Sequence, residues 1–79
     1  MKKVICINAK PLPGNDIGPK LTVGETYDVV KEYTCKCGQT HYDVGIVSKL
    51  NYVECYLCRE TLPDCKKIHW ANSSRFNAA

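Results

Sequence analysis

Apolar and polar residues along the chain change places with the short period of strands. Residues 2–9, KKVICINA, carry Val4 and Cys6 on one face and Ile5 and Ile7 on the other. Their β-branched content predicts a first strand, and apolar character on both faces predicts a central or buried position. A turn, VGE, leads into a second strand in which Tyr27 and Val29 alternate with Asp28 and Val30. Residues 41–48, HYDVGIVS, predict another strand, with Gly45 as a bulge or a point of close approach. Residues 51–58, NYVECYLC, set Val53, Cys55 and Leu57 against Tyr52, Glu54 and Tyr56 and predict a further strand. After a turn at 62–67, residues 67–70, KIHW, read as a short last strand. Residues 72–76, NSSRF, predict one helical turn with a Ser or Asn cap, and residues 77–79 a frayed tail. No apolar pattern of period 3.6 is sustained, so the fold class is all-β, a sheet or small barrel of about five strands.

Seventy-nine residues make a single domain, 1–79. Residues 10–20, KPLPGNDIGPK, interrupt the pattern with three prolines and two glycines and predict a long loop. Such a loop in so small a domain is a candidate for function. A chain of this length buries a modest part of its unfolded surface, so its core alone is marginal and a staple is expected.

Six cysteines supply the candidates for that staple. Four lie within residues 33–60 as Cys35-x-Cys37, seventeen residues, then Cys55-x-x-Cys58. Two pairs at this separation suit tetrahedral zinc. The first pair is a residue shorter than the usual knuckle. Residues i and i+2 of an extended strand face the same way, so the two thiols can still converge. His41 is the alternative fourth ligand in place of Cys35; outside the metal shell it would hydrogen-bond a ligand sulfur or Asp43. Gly38 follows the first pair, where a tight turn favours a residue without Cβ. A closed set of four ligands is structural, because a catalytic zinc keeps a position for water. As disulfides, the six cysteines would allow 15 pairings. A redox reading of Cys55-x-x-Cys58 lacks its βαβ context. The zinc-deaminase pattern fails at Asp43 and Glu54, where Glu and Pro belong. Cys6 reads as a buried thiol in the first strand, and Cys65 as an exposed thiol or a fifth candidate ligand.

The compartment favours metal over disulfides. After MKK, only VICI precedes Asn8 and Lys10, too short for a secretory apolar region. No run approaches the roughly 20 apolar residues of a membrane span. The chain reads as cytoplasmic, where thiols stay reduced. The formal net charge of +3 points weakly to nucleic acid. Four thiolates around one Zn²⁺ add about −2 and weaken it further. Five tyrosines offer base-stacking surfaces, although tyrosines also suit half-buried strands.

The segments VICI, LTVGETYDVV and IHWANSSRF together resemble small SH3-like barrels of bacteria and their phages. CKCGQTHYDVGI and CYLC look like the variant with a zinc knuckle between barrel strands. The resemblance, over about residues 3–76, implies an SH3-like barrel and a structural Zn²⁺ on Cys35, Cys37, Cys55 and Cys58. It implies no activity, since a fold does not fix a function. The sequence therefore predicts a non-enzymatic, monomeric domain that binds a protein partner through the 10–20 loop and exposed tyrosines. The alternative is a nucleic-acid-binding module, which requires Lys49, Arg59, Lys66 and Lys67 to gather on one face with tyrosines.

Overall fold

The computed structural model describes residues 2–12 and 17–79. Its strands are β1 (Lys2–Cys6), β2 (Thr26–Val29), β3 (Lys31–Thr34), β4 (Thr40–Asp43), β5 (Ala71–Asn72) and β6 (Phe76–Ala78), with 3₁₀ turns at Gly18–Lys20 and Ser73–Arg75. They form two antiparallel three-stranded sheets, β2-β1-β6 and β3-β4-β5. The expectation of a closed barrel is corrected: strand pairing among the described residues leaves two separate sheets. The chain crosses between them twice. At Val30 the β2–β3 ribbon bends, and the Val30 N–H is taken by the Asp43 carbonyl at 2.8 Å. At 73–75 the 3₁₀ turn carries β5 into β6, capped by Asn72 Oδ1, which accepts from Ser74 N–H at 2.9 Å. That cap was legible in the sequence.

The first strand is central, as its two apolar faces predict. It pairs Val4 with Tyr27 on one side and with Ala78 on the other. Val4 and Cys6 face inward with Val29, Leu21, Ala71 and Phe76, whereas Ile7 remains 48 % exposed. Residues 77–79 are not a frayed tail. Asn77 and Ala78 pair with β1, and Ala79 N–H donates to Lys3 O at 3.1 Å. Small residues with little signal of their own are ordered there by the unsatisfied edge of β1. Of the 10–20 loop, residues 13–16 lie outside the described residues; Gly18–Lys20 form the first 3₁₀ turn.

Residues 51–58 are not a strand of a sheet. Val53 and Cys55 do point inward, as the alternation predicts, but their backbone partners are local. Leu62 N–H donates to Val53 O at 2.8 Å and Cys55 N–H to Glu60 O at 3.0 Å. With the Glu54–Thr61 bridge this makes a tight hairpin whose tip is 56–58. The predicted strand at 67–70 shrinks to one bridge, Val47–Ile68. A second core fills this half: Cys35, Val53, Cys55, Leu62, Cys65, Ile68 and Trp70. Trp70 is anchored by its Nε1–H to Pro63 O at 2.7 Å and stacks obliquely on Tyr33, with centroids 6.1 Å apart.

Candidate metal centre

Two hairpin tips meet at the second core, and each presents two cysteines. The β3–β4 hairpin closes with Cys35 N–H donating to Gln39 O at 3.0 Å and Gly38 N–H to Cys35 O at 2.9 Å. The 53–62 hairpin repeats this pattern: Cys55 N–H donates to Glu60 O at 3.0 Å and Arg59 N–H to Cys55 O at 2.9 Å. Gly38 and Arg59 both have positive φ, 88° and 62°. The two turns are therefore equivalent, with one residue more in the second. Cys35 matches Cys55, Cys37 matches Cys58, and Gln39 matches Glu60. The short Cys-x-Cys spacing is a knuckle with one residue removed before its second cysteine.

The four sulfurs lie within 4.8 Å of one another. Cys35 Sγ is 3.3 Å from Cys37 Sγ and 3.7 Å from Cys58 Sγ, and Cys37 Sγ is 3.7 Å from Cys55 Sγ. A disulfide has its sulfurs about 2.05 Å apart, and all six cysteines here are free thiols. A tetrahedron with Zn–S bonds of about 2.3 Å has sulfurs about 3.8 Å apart. The donor set fits such an ion: four soft ligands at close to the spacing of a tetrahedral site. Cys35 and Cys55 are buried, Cys58 half-buried and Cys37 exposed, so the cluster lies at the rim of the core.

Backbone amides aim at these sulfurs. Burial raises the Cys55 thiol, against the Cys58 and Leu57 amides, which favour its thiolate. For Cys58, burial opposes ionisation, but the Glu60 amide and the neighbouring sulfurs outweigh it and bring the thiol down to about 7. The Gln39 amide favours the Cys37 thiolate, yet Cys35, burial, Cys58 and Cys55 together push that thiol up to about 12. Crowded sulfurs resist sharing more negative charge, and a cation between them removes that resistance.

Glu60 ties the two knuckles together. Its carboxylate accepts from the Tyr33 hydroxyl and, at 2.7 Å, from the Lys36 N–H of the first knuckle. The Tyr33 bond, then the Lys36 amide, holds this carboxyl below its ordinary range, and the same bond raises the Tyr33 phenol. Sequence reasoning passed over Glu60; its position two residues after Cys58, like Gln39 after Cys37, was the available signal. His41 is not among the four clustered residues. It is buried in β4 opposite Tyr33 and Asn72, near enough to favour the Glu60 carboxylate. Cys65 is buried rather than exposed, donates to Asn51 O at 3.4 Å and stands apart from the cluster. Cys6 is buried in the first core, as expected.

The positive φ of Gly38 gives a first test. A Cβ there would meet no atom within 4 Å, so replacement costs only backbone strain. Gly38→Ala is expected to lower stability by about 1 kcal/mol, measured by urea unfolding of the metal-loaded protein. An unchanged midpoint would show that the first knuckle does not need this conformation.

No ligand-sized cavity opens among the described residues. No helix among them is long and apolar enough to cross a membrane. Comparison with protein-family models, curated proteins and solved structures finds no match to this chain, so its function has to be argued from these residues.

Proposed function

We propose that the chain is a non-enzymatic binding domain stapled by one structural Zn²⁺, held by Cys35, Cys37, Cys55 and Cys58 as thiolates. The observation that carries this reading is the meeting of four sulfurs at two equivalent hairpin tips. Zinc there would act as a crosslink, closing a tetrahedron with no position left for substrate or water. The fold supports an open, two-sheet relative of the SH3-like barrel: a central first strand, a ribbon bent between sheets, and a 3₁₀ turn before the closing strand. The domain acts through its surface, as a monomer in the reducing cytoplasm. A protein partner fits the exposed Leu57 at the second knuckle tip. Tyr33 and Tyr42 contribute less to such a surface, because they pack against Trp70 and Phe76.

The test is native and denaturing mass spectrometry with metal analysis of one sample. One zinc per chain and six titratable thiols after denaturation are expected. A metal-free chain lighter by about 2 Da for each pair of cysteines would mean disulfides and overturn the reading. Iron in place of zinc would replace the staple by a redox centre, since four thiolates suit both.

A further inference from the structure

Lysines distant in sequence come together at one edge of the second core. Ser48 N–H donates to Lys67 O at 3.2 Å, next to the Val47–Ile68 bridge, and this sets Lys49 beside the Lys66–Lys67 pair. A second tie, Cys65 Sγ to Asn51 O at 3.4 Å, brings residues 51–52 alongside the same turn. Lys49, Lys66 and Lys67 are exposed, and Tyr52, which follows Asn51 in the chain, is 45 % exposed. Of the two acidic residues that border residues 47–53 and 65–70, Glu54 is paired with Arg59, and Asp64 is exposed in the turn that carries Lys66 and Lys67. Among the described residues the ion pairs lie elsewhere, on Lys2, Lys3 and Arg59. Arg59, which the nucleic-acid alternative also required, is turned to Glu54 at the second knuckle.

We propose that this edge, Lys49, Lys66 and Lys67 with Tyr52, binds single-stranded nucleic acid: the lysines take successive phosphates and the Tyr52 ring takes a base. Three exposed lysines against one exposed carboxylate, Asp64 of the same turn, leave a net positive edge that complements a polyanion. An exposed ring among them distinguishes a strand with unstacked bases from a plain polyanion, because stacking adds a contact that phosphate alone lacks. The metal supports this surface, since residues 53–62 and 65–70 share its core. The inference thus rests on the zinc-stapled reading for its rigidity.

The experiment is fluorescence anisotropy of a labelled oligothymidylate of about 15 nucleotides with the metal-loaded full chain. Metal content and melting temperature are measured on the same samples. Micromolar binding is expected. It should weaken about twentyfold between 50 and 200 mM salt, the dependence of roughly three contacts on a single strand. The triple variant Lys49→Gln, Lys66→Gln, Lys67→Gln should lose most of this binding and nearly all of its salt dependence. Tyr52→Ala should lose about tenfold. Both should keep their zinc and their melting temperature, and the control Lys20→Gln, Lys31→Gln should bind like the parent. Failure of a zinc-loaded parent to bind the oligonucleotide overturns the inference and leaves the zinc reading standing. Equal binding of heparin or anionic vesicles, indifferent to Tyr52→Ala, overturns it in favour of a general polyanion or membrane surface. A metal-free chain that keeps the parent's melting temperature and binds the oligonucleotide through these residues removes the zinc reading and shows that packing alone holds the edge.

Discussion

On the proposed zinc-stapled reading, stripping the metal with a strong chelator is expected to unfold the half of the molecule around Trp70. The second core holds seven buried residues, and two of them, Cys35 and Cys55, are cluster cysteines. Apart from Cys35, the residues that build it lie in 53–70, which has little sheet of its own; its order comes from the second knuckle and from single bridges. A core in a domain this small supplies no more than about 3–5 kcal/mol. Structural zinc sites bind with apparent free energies of about 10 kcal/mol or more near neutral pH, and that binding is coupled to folding. The metal term exceeds the core term, so its removal decides the outcome. Trp70, the single tryptophan, reports it directly. Its emission should shift to the red as Pro63 and Tyr33 release it, and the thermal transition should become broad or disappear. Re-adding zinc under reducing conditions should restore both. Cys55→Ser, at the fully buried cysteine of the cluster, should reproduce the chelated state even with zinc present. Unchanged Trp70 emission and melting temperature after verified zinc removal would show that packing alone holds this half together.

Much of the first sheet was legible because its signals are local. The two apolar faces of residues 4–7 predicted the central position of β1, and the Asn-Ser-Ser sequence predicted the capped turn. The convergence of four cysteines was legible too, since metal-ligand spacing constrains where two turns must meet. The 53–62 hairpin was not. Period-2 alternation reports which face is buried and is silent about the strand that takes the backbone hydrogen bonds; here Val53 and Cys55 are served by Leu62 and Glu60. The end of the chain was misread for the same reason. Asn77 and Ala78 have no strand propensity worth reading, yet β1 offers them an unpaired edge. The gathering of Lys49 with Lys66 and Lys67 depends on the Val47–Ile68 bridge and the Ser48–Lys67 hydrogen bond across some twenty residues, which no one-dimensional pattern displays.

Arg75→Ala is expected to destabilise the metal-loaded protein by about 3 kcal/mol, without loss of zinc. Arg75 is 1 % exposed. Its Nη1 donates to Asn8 O at 2.8 Å and its Nη2 to Lys10 O at 2.5 Å. Its own carbonyl accepts from Ile7 N–H at 2.7 Å. One side chain thus fastens the start of the long loop to the turn that carries β5 into β6. Hydrogen bonds from a charged donor contribute about 1.5–3 kcal/mol each, and truncation leaves two carbonyls without their donors. Arg75→Lys keeps the charge and loses the planar fork, so it should fall between the two. Phe76, packed edge-on against Tyr27 and obliquely against Tyr42, would be loosened next, because it follows Arg75 directly in β6. Amide hydrogen exchange in β1 and β6 reads the first core, and Trp70 emission with zinc content reads the second. The two cores share no residue, so the chelator should act first on Trp70 and the Arg75 variant first on the β1 and β6 amides. A shift below about 0.5 kcal/mol for Arg75→Ala, within the range of an ordinary surface substitution, would show that the loop needs no clamp. Simultaneous loss of zinc, of the Trp70 signal and of amide protection in β1 and β6 would show that the two cores unfold as one.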